Sequence, residues 1–583
     1  MVSKAMRRLV AAAVAIGLTA CAQVPSQGAT NSAPPPDKDT QAVPTESVYG
    51  SYLAGGLAQR DHAYGAAAAY LERALADDPD NVELLRRTFL LRLSEGSLPR
   101  TVELARRFSV VDPHNGLPAL VLLIEQMKSG DGSGAAAAAD RLPQDGLLRF
   151  SSPLVVAWTK AGLKEEKAAI AALDRYDRMR GFEQLKAFHL ALIEDYLGNV
   201  NGALDAYKKL TAASDRLNWR TTDMAGRFLE RHGRAQEAKA LYERFIRENS
   251  DGADLAAPSI ARIAAGKIPP PTVASATDGL AEAMFDIASV LNQSETEDLS
   301  LLYAQLTLDL SPKHALAQML VGEIAESEGR LNEALEIDRR VDPQSPFSWS
   351  ARLRVAEVLD ELGRTDEAIA ELKLMASERP QSPQALIELG DILRERSKFA
   401  EAADAYEGAV ARINPIGREY WSLLYSRGIA FERSGQWPRA EADFQRALQL
   451  EPDQPMVLNY LGYSWIEKRQ HMDEALQMIQ RAVQQRPDDG YIIDSLGWAY
   501  YQLGKYPEAT RYLEQAIELL PEDPTINDHL GDAYWRSGRH DEARYQWRRA
   551  LQFKPEDEQE AKTISAKLDQ GLGAVPAPNP RGG

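Results

Sequence analysis

Residues 490–521 read GYIIDSLGWAYYQLGKYPEATRYLEQAIELLP, and this stretch decides the fold. Gly497 and Tyr500 come first, then Gly504, then Ala509 and Ala516, and Pro521 closes it. The same punctuation brackets it on both sides. Upstream, Trp421 to Pro452 carries Gly428, Phe431, Gly435, Ala440, Phe444 and Ala447, and the next segment carries Gly462, Trp465, Ala475, Ala482 and Pro487. Downstream lie Gly531, Tyr534, Gly538, Ala543, Trp547, Ala550 and Pro555. The first glycines step by 34, 35 and 34 residues, and the closing prolines by 35, 34 and 34. Each mark has a physical task. The first glycine and the two alanines sit where two helices approach too closely for a larger side chain. The second glycine ends the first helix in a left-handed cap. The proline stops the second helix. The segment with Ala475 holds one extra residue between its helices, which predicts a longer turn there.

This pattern resembles the tetratricopeptide repeat, a 34-residue helix–turn–helix. The resemblance implies an all-α solenoid, a right-handed superhelix of stacked helical pairs, here in two arrays. The phase runs upstream through Pro380, Pro346 and Pro312, giving about eight units over 281–555. An earlier set, over 48–247, starts with Gly55, Ala67, Ala74 and Pro79 and holds about six units, the middle ones degenerate. Between the sets, 248–280 contains Pro269, Pro270 and Pro271 and is expected to be a break with a short helix near Leu255–Ala265. Residues 556–572 read as one polar capping helix, as solenoids require, and 573–583 as a loose tail.

The chain has 583 residues, with 67 Lys plus Arg against 85 Asp plus Glu, a net charge of −18. That balance argues against a nucleic-acid groove, which needs a basic face. Hydrophobic residues make up 44%, enough for a core, so wholesale disorder is excluded. The single cysteine excludes an internal disulfide framework, a cysteine zinc cluster and a CxxC redox site. It lies at the end of MVSKAMRRLVAAAVAIGLTAC, residues 1–21, where Lys4, Arg7 and Arg8 precede an apolar run. This is the layout of a secretory signal. Leu18, Thr19, Ala20 and Cys21 resemble a bacterial lipobox, which implies lipidation of Cys21 and removal of what precedes it. Residues 22–47 hold few large apolar side chains and many Pro, Ser, Thr and Gln, so they form a tether and not a domain.

Catalytic patterns are absent. The eight histidines form no H-E-x-x-H pair, and His529 and His540 read as helix-surface residues. Gly130, Gly132 and Gly134 lack the lysine and preceding strand of a phosphate loop. No G-x-S-x-G elbow occurs, and no catalytic domain is left once the repeats are subtracted. The expectation is a protein without enzymatic activity, cofactor or metal. Binding falls instead to the concave face lined by the first helix of each unit. Positions three before and one after the first glycine, and one turn on, select Tyr425, Asn459, Tyr463, Asp494, Trp498, Tyr501, Asp528, Asp532, Trp535 and Arg536. A row of aromatics beside Asn and Asp suits an extended peptide. The Lys–Asn clamp that some repeat proteins use on a C-terminal carboxylate is missing at these positions, and the acids suit a basic or neutral segment.

Residues 458–509, with LNYLGYSWIEKRQHMDEALQMIQRAV and DSLGWAYYQLGKYPEA, resemble the signature of large bacterial outer-membrane tetratricopeptide lipoproteins. Among these is the LbcA-type adaptor of a periplasmic C-terminal-processing protease. That resemblance implies a lipid-anchored scaffold on the periplasmic face of the outer membrane, with a protease and its cell-wall hydrolase substrates as partners. The alternative is a structural part of an envelope assembly or polysaccharide-export machine.

Overall fold

A computed structural model describes residues 47–143, 146–212, 216–249, 252–292, 296–555 and 558–573. The expected signal segment, Leu18, Thr19, Ala20, Cys21 and nearly all of the tether lie outside them, as does the tail from 574. Among the described residues there are thirty α-helices, three short 3-10 turns and no strand. In chain order they are α1 Val48–Arg60, α2 Tyr64–Asp77, α3 Val82–Glu95, α4 Leu98–Val111, α5 Gly116–Ser129, α6 Gly132–Ala139, α7 Ser152–Gly162, α8 Glu166–Leu173, α9 Glu183–Leu197 and α10 Val200–Ala212. Next come α11 Trp219–Arg231, α12 Ala235–Glu248, α13 Gly252–Ala264, α14 Ala276–Leu291, α15 Glu297–Leu310, α16 Ala315–Ser327, α17 Leu331–Arg339, α18 Ser348–Glu361, α19 Thr365–Glu378 and α20 Gln384–Glu395. The last ten are α21 Phe399–Val410, α22 Trp421–Arg433, α23 Trp437–Leu450, α24 Pro455–Glu467, α25 Met472–Gln485, α26 Gly490–Gln502, α27 Tyr506–Leu519, α28 Pro524–Arg536, α29 His540–Gln552 and α30 Glu558–Gln570. No described helix is long and apolar enough to cross a membrane.

The described residues fall into two compact units that meet in sequence within α19, one ending at Ala368 and one starting at Ile369. In each, consecutive helices pack as antiparallel hairpins, and the fold is an all-α tetratricopeptide solenoid. The local causes are legible. The Asn81, Asn218 and Asp523 side chains accept the backbone N–H of Leu84, Thr221 and Ile526 at 3.1, 2.9 and 2.9 Å, capping α3, α11 and α28. Gly504 closes α26 at φ +74°, where a side chain would be strained, and its N–H donates to Tyr501 O at 2.9 Å. At the hairpin crossing, a Cβ on Gly497 would stand 2.6 Å from Leu513, and one on Gly531 2.5 Å from Trp547. The extra residue between α24 and α25 is absorbed by two left-handed residues, Arg469 (φ 53°) and His471 (φ 45°).

In the first unit, six hairpins (α1/α2 to α11/α12) precede the lone helix α13. The sequence reading put a break over 248–280 and began a second array at 281. In the structure the start of that array also packs on the early set. After the prolines at 269–271, α14 folds back against α7 and α9, and α15 against α3 and α5. These are first helices of their hairpins, so the inner face of the early set is filled by the chain itself. The physical reason is apolar. Nine residues of α14, among them Leu280, Met284 and Ile287, and nine of α15, among them Leu301, Tyr303 and Leu306, are buried. Polar links close the seam: Ser151 Oγ to Tyr303 OH (2.9 Å), Gln305 Nε2 to Ser94 O (3.1 Å) and Lys128 Nζ to Asp309 (2.5 Å).

Candidate protein-binding face

Two buried charge networks stand out, one in each unit. In the first, the Trp158 indole N–H donates to His189 Nδ1 at 3.1 Å. That leaves Nε2 of a neutral ring to donate to Asp286 at 3.0 Å. Arg220 joins Asp286 to Glu282 and lies 4.4 Å from the Phe188 ring centre, while His314 reaches Glu282 at 3.4 Å. Burial alone would raise the Glu282 and Asp286 carboxyls, but the Arg220 guanidinium and the histidines more than offset it and hold both low. This network belongs to the seam between α14 and the inner helices. It ties α14 to the inner helices.

The second unit contains the residues that the repeat register selects. Seven of the ten converge on α26 and α28: Asp494, Trp498, Tyr501, Asp528, Asp532, Trp535 and Arg536. Trp498 stacks on His529 (4.0 Å, 14°) and on Tyr501 (4.7 Å, 9°), and its N–H donates to Glu467 at 2.5 Å. His529 Nδ1 lies 3.0 and 3.1 Å from the two Asp494 oxygens. From the terminal helix α30, Lys567 Nζ donates to Asp528 at 2.7 Å and Asp532 at 2.9 Å. Asp532 also accepts from the Trp547 indole at 3.0 Å. The Trp535 indole donates to Leu572 O (3.2 Å) and Arg536 to Gly573 O (2.7 Å). Trp535 and Arg536 thus hold the main chain of the segment that follows α30.

The expected row of exposed aromatics is corrected at two positions. Tyr425 is only 3% exposed, because its ring packs against Phe444 of the same hairpin (6.0 Å) and edge-on against Tyr460 of the next (5.8 Å). Tyr463 is 9% exposed. Both are core. Asp494, Asp528 and Asp532 are buried as well, and Asn459, Trp498, Tyr501, Trp535 and Arg536 are part-buried. Asn459 Oδ1 and Asp528 Oδ1 are buried atoms that meet no donor among the described residues.

Two participants escaped the sequence reading. His529, read there as a surface residue, is buried. Burial pushes its imidazolium down, but Asp494, backed by Asp528 and Asp532, more than offsets this and holds its pKa at about 9. Lys567 sits in a helix read only as a cap. The available signal was Asp528 and Asp532 at i,i+4 on one helix face, which demands a cation from somewhere. Burial and Asp528 push the Asp532 carboxyl up, against Lys567. No group of three or more metal-ligating side chains occurs among the described residues.

Residues 282–566 match the family described as the cilia and flagella-associated protein 70 C-terminal domain, a tetratricopeptide family, over just under half of the chain. Among solved structures, the chain is similar to the APC/C hetero-tetramer Cut9–Hcn1, at 16% identity over 91% of this chain and 97% of that one, TM-score 0.37. It is similar to yeast Tom70, at 14% identity over 90% and 95%, TM-score 0.33. It is also similar to Pseudomonas aeruginosa pilF, at 20% identity over 33% and 87%, TM-score 0.28.

Proposed function

We propose that this protein is a scaffold anchored by lipid at Cys21 on the periplasmic face of the outer membrane, and that it brings substrates such as cell-wall hydrolases to a periplasmic protease. The tetratricopeptide solenoid is a fold suited to protein binding, and it supports the coarse part of this reading. One observation supports capture of a protein segment at this face most directly. The inner face of α26 and α28 already holds polypeptide: Lys567 on an acid pair, and main-chain carbonyls on Trp535 and Arg536. The same side chains fit a partner segment that carries a basic residue and an extended backbone.

The test is a cross-linking capture with the anchored protein as bait, followed by a cleavage assay with the captured protease and substrate. The adaptor reading expects protease and hydrolase together, and faster cleavage when the scaffold is added. Trp498→Ala with Trp535→Ala is expected to weaken capture while helical circular dichroism persists. Capture of export or assembly proteins with proteolysis unchanged would move the function to the structural alternative.

A further inference from the structure

The first helix inverts the usual arrangement of a surface helix. Tyr49, Tyr52, Leu53 and Leu57 fall on one stripe of α1, and they are 82, 41, 70 and 51% exposed. The opposite stripe, which packs on the core, holds Val48 and otherwise small residues, Ser51, Gly55 and Ala58. The large apolar side chains therefore face outward. The helix carries no acidic residue, in a chain that holds 85. Arg60 ends the stripe, and the Arg87 guanidinium lies 5.3 Å from the Tyr52 ring centre. Between Ser47 and Asp112 nine acids face eight arginines, so this end is nearly neutral in a chain of net charge −18.

We propose that the outer face of α1 rests on a lipid bilayer. Three arguments select this occupant. Tyrosine and arginine around a leucine stripe is the chemistry of the headgroup boundary, where ring hydroxyls and guanidinium stay wet and the aliphatic groups reach inward. With residues 1–20 removed, as the proposed anchor requires, the chain before α1 has little to cover the stripe, because residues 22–46 offer only Val24 and Val43 as larger apolar side chains. A second copy is a poor fit. The stripe exposes on the order of 500 Å² of side chain, well below the ~800 Å² per partner of a stable interface, and the exposed residues of α30 at the other end of the chain, such as Glu558, Lys562 and Asp569, are polar.

The bilayer also lies within reach if Cys21 is lipidated, and to that extent the inference rests on the proposed anchor. If the stretch 22–47 is the tether its composition leads one to expect, its roughly 26 residues would span about 25–30 Å. A tether of that length holds α1 at high effective concentration near the surface, so a contact too weak to bind alone is populated.

The experiment separates the two readings by replacing the lipid. The chain from Ala22 onward, which keeps every described residue, carries an N-terminal histidine tag. It is bound to phosphatidylethanolamine–phosphatidylglycerol vesicles doped with a nickel-chelating lipid. Without Cys21 it has no thiol, so Leu53→Cys takes a single environment-sensitive dye, and Leu374→Cys, 51% exposed, serves as control. The expected result is that nitroxide-labelled lipid quenches the dye at 53 several-fold more than the dye at 374, with the iodide response reversed. A dye at 53 as open to iodide on vesicles as in solution would overturn the proposal. Shielding at 53 that grows with protein concentration without vesicles would also overturn it, in favour of a second copy. Whether Cys21 is lipidated is read separately, by palmitate incorporation in cells.

Discussion

Raising the pH is the perturbation that most directly probes the face on α26 and α28. His529 carries a proton whose pKa the surrounding carboxylates raise from 6.5 to about 9. A raised folded-state value means that the linked stability is fully present below about 6.5 and is lost as pH rises through about 9. The charged groups around the ring are Asp494 on α26, Asp523 just before α28, and Asp528 and Asp532 on α28, the last two also held by Lys567 from α30. A shift of about 2.5 units at 1.36 kcal/mol per unit gives an upper bound of roughly 3 kcal/mol. The measurement is urea unfolding followed by tryptophan fluorescence at pH 6 to 10, with Trp498→Phe subtracted to isolate the ring stacked on His529. Because Trp498 lies 4.0 Å from the imidazole, its native-state fluorescence is expected to titrate with the same midpoint near 9. His529→Gln is expected to remove both the titration and the loss of stability in that window. A Trp498 signal flat from pH 6.5 to 9.5, or a pH dependence that survives in His529→Gln, would refute the assignment.

Three further outcomes are expected. Lys567→Met strips the cation from Asp528 and Asp532. Because α30 can lift away locally, the cost is about 2 kcal/mol, seen as faster amide exchange confined to α30, and Asp528→Asn with Asp532→Asn is expected to restore much of it. Arg220→Met leaves Glu282 and Asp286 buried without their guanidinium, which is expected to cost about 3–5 kcal/mol and to lower the melting temperature of the first unit. Cys21→Ala is expected to abolish palmitate incorporation and to move the protein out of the salt-washed membrane fraction. Retention there would end the lipid-anchor proposal.

The fold class was legible because its marks are local and steric. A Cβ on Gly497 or Gly531 meets Leu513 or Trp547 sixteen residues on, so the sequence had to print a glycine there. The candidate face was legible only by register. Counting from the glycine places Asp494, Trp498, Asp528 and Asp532 on the right helices. It does not say what lies over them. Tyr425 occupies the same register position as Asp494, yet turns into the core because Phe444 and Tyr460 accept its ring. The residues that decide exposure are remote: Lys567 is 39 positions from Asp528, and Asp286 is 97 from His189. No periodicity encodes such pairs. The fold-back of α14 escaped for a related reason. Its glycine Gly279 and its alanines look like those of any repeat, and only the complementary inner face of α7 and α9 shows where the helix goes.

The two inner faces differ in what a partner would have to displace, and the difference bears on the proposed function. To reach the face that α14 and α15 cover in the first unit, a ligand would have to remove both helices. That means exposing eighteen buried residues and parting Arg220 from two desolvated carboxylates. At about 1.5–3 kcal/mol for each large apolar side chain, the cost exceeds the total stability of most domains. In the second unit the occupant is one helix in which Ile564 alone is fully buried, tied on by Lys567 and two main-chain carbonyls. Its removal costs a few kcal/mol at most, and a basic residue from a partner regains the ion pair that Lys567 gives up. A competitor for the place of α30 therefore meets a surmountable barrier at α26 and α28. The inner face of the first unit is filled by its own chain, so the proposed recognition is assigned to the second.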